Sequence, residues 1–207
     1  MIKMTTIYLV RHGQTEWNVA DKVQGASDSP LTENGIKEIK KLAKVLKKVK
    51  FDLAFSSDLL RAKRTAEILA LEHKLSVETN ALIKERFFGH LEGKSNDEYR
   101  KWAKAFTNLT DKERFSAKIS EDIESDEEIV TRLIQFLREI AIGNPGKTIL
   151  TVSHGGIIKA FLIHLGYGTY KDIRTIKNGG YLKLESDGTD FFIIEAKGIV
   201  RYDEKSI

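Results

Sequence analysis

Tyr8-Leu9-Val10-Arg11-His12-Gly13-Gln14-Thr15-Glu16 is the stretch that decides the fold. The run from Ile7 to Val10 is apolar, short and partly β-branched, the pattern of a strand buried on both faces. It stops abruptly at a cation, an imidazole and a glycine. In open α/β sheets ligands bind beyond the carboxyl ends of the strands, so Arg11 and His12 stand where a site is expected. Gly13 lets backbone approach closely, and the guanidinium of Arg11 offers a planar fork of donors suited to phosphate or carboxylate.

The same arrangement recurs further along. Phe51 to Phe55 is a second apolar strand ending in Ser56-Ser57-Asp58, ahead of a helix with Arg61, Arg64 and Thr65 in its first turns. A helix N-terminus already attracts anions through its unpaired N–H groups and its dipole. Thr148 to Val152 is a third strong strand, ending in Ser153-His154-Gly155-Gly156 before a helix that runs to about Leu165. Three strand ends thus supply Arg11 with His12, Arg61, and His154.

Between these landmarks Thr32 caps a helix reaching about Val49, and Leu75 to Thr79 reads as a weak strand. Trp17-Asn18 and the segment Gln24 to Pro30 read as one polar connection without an element of its own. From Asn96 to Ser120 the chain is charged, with Tyr99, Trp102, Phe106 and Phe115 spaced for a helical excursion; these aromatics read either as a substrate-pocket lining or as helix packing, and packing is the expected use. Acidic residues from Glu121 to Glu128 cap a helix over Ile129 to Ile140. Tyr181 to Glu185 and Phe191 to Glu195 form a hairpin at the sheet edge. The alternation of β and α predicts one doubly wound three-layer α/β/α domain, its central sheet mostly parallel, with a C-terminal edge hairpin and a helical lid at about 95–128.

Composition narrows the chemistry. A chain of 207 residues can bury one good core, and its lack of cysteine removes thiol nucleophiles, thiolate metal sites and disulfides. The net charge of +4 raises the question of a nucleic-acid partner, but the lysines from Lys37 to Lys50 alternate with apolar residues at helical spacing and read as a solvated face. No eighteen-residue apolar stretch and no signal pattern stand in the sequence, so the expectation is a cytoplasmic protein without a membrane partner. The histidines show neither i, i+4 spacing nor an HExxH pattern, so no metal and no cofactor are expected. Gly146-Lys147-Thr148 looks like the end of a phosphate-binding loop, but Ala141 stands where its first glycine belongs and the segment precedes a strand instead of following one.

Glu85 lies in a loop with two glycines and two aromatics, between Lys84 and Arg86, and reads either as a pocket carboxylate or as half of a surface ion pair. His90, in the same segment, is open between pocket and surface. Two arginines and two histidines converging on one sheet edge make a cage for a dianionic phosphoryl group.

These motifs, in this order, resemble the histidine phosphatase superfamily, also called the phosphoglycerate mutase-like family. The matching stretches are Arg11-His12-Gly13, Asn18, Gln24-Gly25, Asp28 to Gly35, Ser56 to Ala62 with Thr65-Ala66, Glu85 with Gly89 and Leu91-Glu92-Gly93, and Ser153-His154-Gly155-Gly156. The resemblance implies that His12 attacks phosphorus and becomes a phosphohistidine. It implies that Arg11, Arg61 and His154 hold the equatorial oxygens, and that Glu85 protonates the leaving group and later takes a proton from water. Asn18, Gln24 and Gly25, with the Gly155 N–H, would lie at the edge of the phosphate pocket.

Mutases of the family carry a glutamate-arginine-histidine-tyrosine-glycine run, an adjacent arginine pair and an asparagine after the second histidine-glycine. This chain has Glu85-Arg86-Phe87-Phe88-Gly89, no adjacent arginines, and Gly156. The expectation is a metal-independent phosphatase of small phosphomonoesters, similar to the family's broad-specificity, sugar bisphosphate and α-ribazole phosphatases. A cofactor-dependent phosphoglycerate mutase and a non-catalytic phospho-ligand binding module are the alternatives. Nothing in the pattern decides between a monomer and a homo-oligomer.

Overall fold

The computed structural model describes residues 3–202. Strand β1 (Thr5–Arg11) leads through a one-turn helix α1 (Glu16–Val19) to α2 (Glu33–Leu46), then β2 (Leu53–Ser56), α3 (Leu60–Leu71) and β3 (Val77–Thr79). Two short helices, α4 (Asn96–Ala103) and α5 (Asp111–Ser116), precede the long α6 (Asp126–Gly143). The chain closes with β4 (Thr148–Ser153), α7 (Gly155–His164), β5 (Ile173–Ser186) and β6 (Phe191–Arg201).

All six strands form one sheet in the order β3-β2-β4-β1-β5-β6. β3, β2, β4 and β1 run parallel, whereas β5 and β6 are antiparallel to their neighbours. Alternate residues of β1 build opposite cores. Ile7 and Leu9 join Leu133, Phe136, Ile158 and Phe161 of α6 and α7. Tyr8 and Val10 join Ile39, Ala43, Ala62 and Ala66 of α2 and α3. A strand buried on both faces reads as a continuous apolar run for this reason.

The winding sets the site. After β1 the chain moves outward through β2 and β3 with α2 and α3 on one face, then returns through α6 to β4, which pairs with β1. The direction of winding therefore reverses between β1 and β4, where a crevice opens at the carboxyl ends. Arg11 and Ser153 are register partners there, so His12 and His154 leave the sheet side by side.

β2 and β3 each start two residues later than the sequence suggests and α2 ends at Leu46, and three further differences have a local cause. Glu16–Val19 is a helical turn, because the Thr15 hydroxyl accepts the Asn18 N–H and the Asn18 side chain returns a bond to Thr15, a complete capping box. α6 begins at Asp126, three residues before Ile129, with Ser125 and Glu128 forming another such box. The terminal hairpin is much longer than Tyr181 to Glu195. Asn178-Gly179-Gly180 does not end β5 but sits in a register shift between Ile176 and Tyr181, with Gly179 at φ +68°. Glycines that look like a strand break mark a bulge here.

The loop carrying His12 lies directly on the first turn of α2. A Cβ on Gly35 would stand 2.9 Å from the Gln14 nitrogen and 3.0 Å from its carbonyl carbon, all backbone. Helix propensity alone would make Gly35→Ala stabilising by about 1 kcal/mol. The backbone clash opposes it, and overpacking of this kind costs about 1–3 kcal/mol. Gly35→Ala is expected to lower the urea-unfolding free energy, and a gain in stability would show that the loop can move off the helix.

Candidate active site

His12 is fixed from both ends. Its backbone N–H donates to the Ser153 carbonyl at 3.0 Å, and its own carbonyl accepts from Asn178 Nδ2 at 3.0 Å. On the ring, Nδ1 lies 2.7 Å from the Gly13 carbonyl. A carbonyl can only accept, so Nδ1 carries the hydrogen and Nε2 keeps its lone pair. The Gly13 N–H donates in turn to Thr65 Oγ1 at 3.0 Å, and that hydroxyl donates to the Arg61 carbonyl at 2.8 Å. Strand end and helix start are thereby locked together.

Arg61 is 1% exposed, yet its guanidinium is richly held. Nη1 donates to Asp28 Oδ1 at 2.9 Å and to the Ser27 carbonyl at 2.8 Å; Nη2 donates to the Gly25 carbonyl at 2.6 Å. Asp28 also accepts from the Leu60 and Arg61 N–H groups at 2.5 and 3.4 Å, so a residue from a distant loop caps α3 in place of the unsuited Leu59. Arg11 donates through Nη1 to the Ile176 carbonyl. His154 is fully buried, its ring 5.2 Å from that of His12.

Of the five buried side-chain polar atoms without a partner among the described residues, four are here: Arg11 Nε, Arg61 Nε and both ring nitrogens of His154. Buried polar atoms are nearly always satisfied, so this cluster, with an N–H on each guanidinium and one on the neutral His154 ring, marks a place for a ligand's oxygens. Burial first, and then Arg61 and Arg11, push the His12 pKa well below its ordinary value. Burial, Arg61 and His12 do the same to His154. Desolvation also pulls Arg11 down to about 10 against the attraction of Glu85.

Glu85 faces the same pocket and is not a surface ion pair. Lys84 pairs with Asp58 at 2.9 Å and Arg86 with Asp126, leaving the Glu85 carboxylate to three N–H groups. Oε1 accepts from Arg86 at 2.8 Å and Ile157 at 3.2 Å, and Oε2 accepts from Gly156 at 2.9 Å. The carboxyl group thus sits at the N-terminus of α7, where its oxygens take up helix N–H groups that lack an intrahelical partner. A Cβ at Gly156 would stand 2.6 Å from Glu85 Oε1. Arg132 holds the loop from behind, donating to the carbonyls of Leu82, Lys84 and Glu85.

The cavity between these groups measures about 270 Å³ and is lined by Arg11, His12, Asn18, Gln24, Gly25, Arg61, Glu85 and Gly155 among others. His154 stands behind it, against His12. Gly25 contributes its carbonyl to Arg61, so it serves the cage as much as the pocket edge. His90 lies outside, exposed and paired with Asp122 at 2.9 Å. Phe88 lines the cavity but Phe87 is exposed, so only one of the two aromatics stands where a polar side chain would have met a substrate.

Several lining residues escape the sequence reading, Lys22, Asn96, Lys159 and Arg174, whereas for Tyr99 the sequence offers both pocket lining and packing. Tyr99 does both, meeting Phe88 edge-on at 5.3 Å while facing the cavity. For Lys159 a signal existed, since it follows Gly155 by four residues on one helix face.

Neutral imidazoles in the fold have a consequence for stability. Below the ordinary pKa of 6.5 the unfolded chain binds protons that His12 and His154 refuse in the fold. Their contribution is therefore intact above pH 6.5 and is lost as pH falls beneath it. Between pH 6.5 and 5.5 the unfolding free energy is expected to drop by about 1 kcal/mol per imidazole, read by urea unfolding at stepped pH. A flat profile would mean that the imidazoles take up protons in the fold as readily as in the unfolded chain.

The family model described as the histidine phosphatase superfamily (branch 1) matches residues 7–196. The chain is 34% identical over 165 residues to the "Uncharacterized phosphatase PhoE" of Bacillus subtilis (strain 168), covering 80% of this chain and 79% of that one. It is 37% identical over 156 residues to "Probable phosphoglycerate mutase GpmB" of Yersinia pestis (strain Pestoides F), covering 73% and 70%. Among solved structures, "Bacillus stearothermophilus YhfR" superimposes with a TM-score of 0.81 at 29% identity, covering 95% of this chain and 98% of that one. A fold wound to bring His12 beside His154 and a match over nearly its whole length agree: the chain belongs to branch 1 of the histidine phosphatase superfamily.

Proposed function

We propose that the chain is a metal-independent phosphatase that hydrolyses small-molecule phosphomonoesters through a phosphohistidine on His12. The observation that carries this is the His12 ring, its Nδ1–H donated to Gly13 and its Nε2 lone pair kept, set among two arginines with donors to spare. Nε2 forms a bond to phosphorus as the ester P–O bond breaks, and Glu85 gives a proton to the departing alkoxide. Glu85 then takes a proton from water, the water oxygen bonds to phosphorus, and the P–N bond breaks to release phosphate. Arg11, Arg61 and His154 balance the charge on the equatorial oxygens, a task that preorganised donors perform well in a water-poor site. Asn18, Gln24 and the Gly155 N–H bound the phosphate at the rim, the segment at about 95–128 covers the pocket, and a cytoplasmic setting belongs to the same reading.

The likeness to GpmB favours a second reading, phosphate transfer to phosphoglycerate. Gly156 weighs for the phosphatase, because a larger residue there would meet Glu85 Oε1 in this arrangement. Phe88 weighs the same way, since it offers the substrate wall no hydrogen bond. Labelled phosphate passing to phosphoglycerate in preference to water would establish the mutase.

Hydrolysis of p-nitrophenyl phosphate is expected to persist in excess chelator and to fall by more than about 10³-fold in His12→Ala, the scale on which removal of a nucleophile acts. Unchanged activity in His12→Ala would overturn the mechanism, and a parent that binds phosphate without turnover would be a binding module. Glu85→Gln is expected to cost about 10²- to 10⁴-fold on an alkyl phosphate and much less on p-nitrophenyl phosphate, whose phenolate leaves without a proton. Equal losses on both would remove Glu85 from the leaving-group step.

A further inference from the structure

The cavity wall carries more positive charge than one phosphoryl group requires. Besides Arg11 and Arg61 it is lined by Lys22, Lys159 and Arg174, and its single acidic residue is Glu85. Lys159 differs from the other two rim cations. Lys22 and Arg174 are exposed, whereas Lys159 is half-buried on α7. Its ammonium makes no ion pair among the described residues and donates to the Arg174 carbonyl at 3.1 Å, which leaves two of its three donors. Its cationic neighbours are unfavourable company: burial, Arg114 and Arg86 pull Lys159 down to about 8. Arg86 is neutralised by Asp126, but Arg114 lies over the Tyr170 ring at 4.2 Å without an acidic partner among the described residues. A half-buried charge is costly unless it is paired, so this corner lacks an anion.

We propose that Lys159 recognises a second anionic group on the substrate, a carboxylate or a second phosphate, and so selects doubly acidic phosphomonoesters over simple alkyl ones. The inference rests on the reading of Arg11, Arg61 and His12 as the phosphoryl end. Lys159 lies one helical turn beyond Gly155, about 6 Å along the axis, and helical side chains lean back toward the N-terminus. A chain of roughly three carbons spans that separation. Phe88 and Tyr99, in edge-on contact with each other, give the same cavity an aromatic wall.

Calorimetric titration in the His12→Ala background, where no ester turns over, tests this with inorganic phosphate and three esters sharing one carbon chain. These are propyl phosphate, 3-phosphonooxypropanoate and propane-1,3-diol bisphosphate. At least one of the last two is expected to bind about 10-fold or more tightly than propyl phosphate, the scale of a hydrogen bond to a charged group. Which of them gains identifies the second group as carboxylate or phosphate. Lys159→Met should remove the advantage, Lys159→Arg should retain it, and Lys22→Met, which changes the same net charge at the exposed rim, should leave most of it. No advantage over propyl phosphate, or one that survives Lys159→Met, overturns the inference. Phosphate binding without a second-anion advantage defeats this inference alone, whereas a protein that binds none of the four, inorganic phosphate included, defeats the phosphoryl-site reading as well.

Discussion

Two imidazoles and two guanidiniums, all buried except the half-buried Arg11, are packed together at the carboxyl edge of this sheet, and much of the surrounding structure exists to hold them there. Burial penalises any charge on the imidazoles, and the neighbouring guanidiniums repel a further cation, so both imidazoles stay neutral. The guanidiniums cannot escape in that way. Asp28 offsets Arg61, Glu85 offsets Arg11, and the carbonyls of Gly25, Ser27 and Ile176 take up part of the remaining donors. What stays unsatisfied faces the pocket or lies behind it, so the energetic cost of the cluster is concentrated where a phosphoryl group would relieve it.

Such a cluster persists only if its surroundings over-determine it, and three charged residues do this by tying loops that are far apart in sequence. Asp28 joins the loop before α2 to the start of α3. Glu92 accepts from the Ala26 and Ser27 N–H groups at 2.9 Å and from the Phe88 N–H at 3.0 Å, so it shapes the loop whose carbonyls grip Arg61. Arg132, on α6, gathers the carbonyls around Glu85 and pairs with Glu124 at 3.0 Å. None of the three lines the cavity, and each sets the position of a group that does.

This division explains what could be read from the residues alone. The strands β1, β2 and β4 were legible because burial on both faces leaves a continuous apolar run, and the chemistry follows each run at once in sequence. Arg11, His12, Arg61 and His154 could be placed on one edge by winding rules without knowledge of any distance. The bulge in β5 was not legible, since Asn178-Gly179-Gly180 has the composition of a turn and only pairing with β6 shows otherwise. Asp28, Glu92 and Arg132 were silent as supports for a different reason. The loops they tie are remote in sequence, and such a charged residue looks like any other until the chain has folded.

The outer wall of the pocket is built on different terms from its floor. Phe88 and Tyr99 rest on a small cluster of Val23, Leu91 and Ile123, separate from the two cores that flank the sheet. Substitutions in that cluster or in α4 can therefore reshape the wall while the sheet and its charges stay in register. The floor has no such freedom, because Arg11 and Ser153 are partners in the central ladder and a slip of one residue would turn every side chain of β1 to the wrong core. The charged floor thus belongs to the part of the fold that can change least, and the aromatic wall to the part that can change most. Relatives named as a phosphatase and as a mutase, both more than 30% identical to this chain, are what such a partition allows.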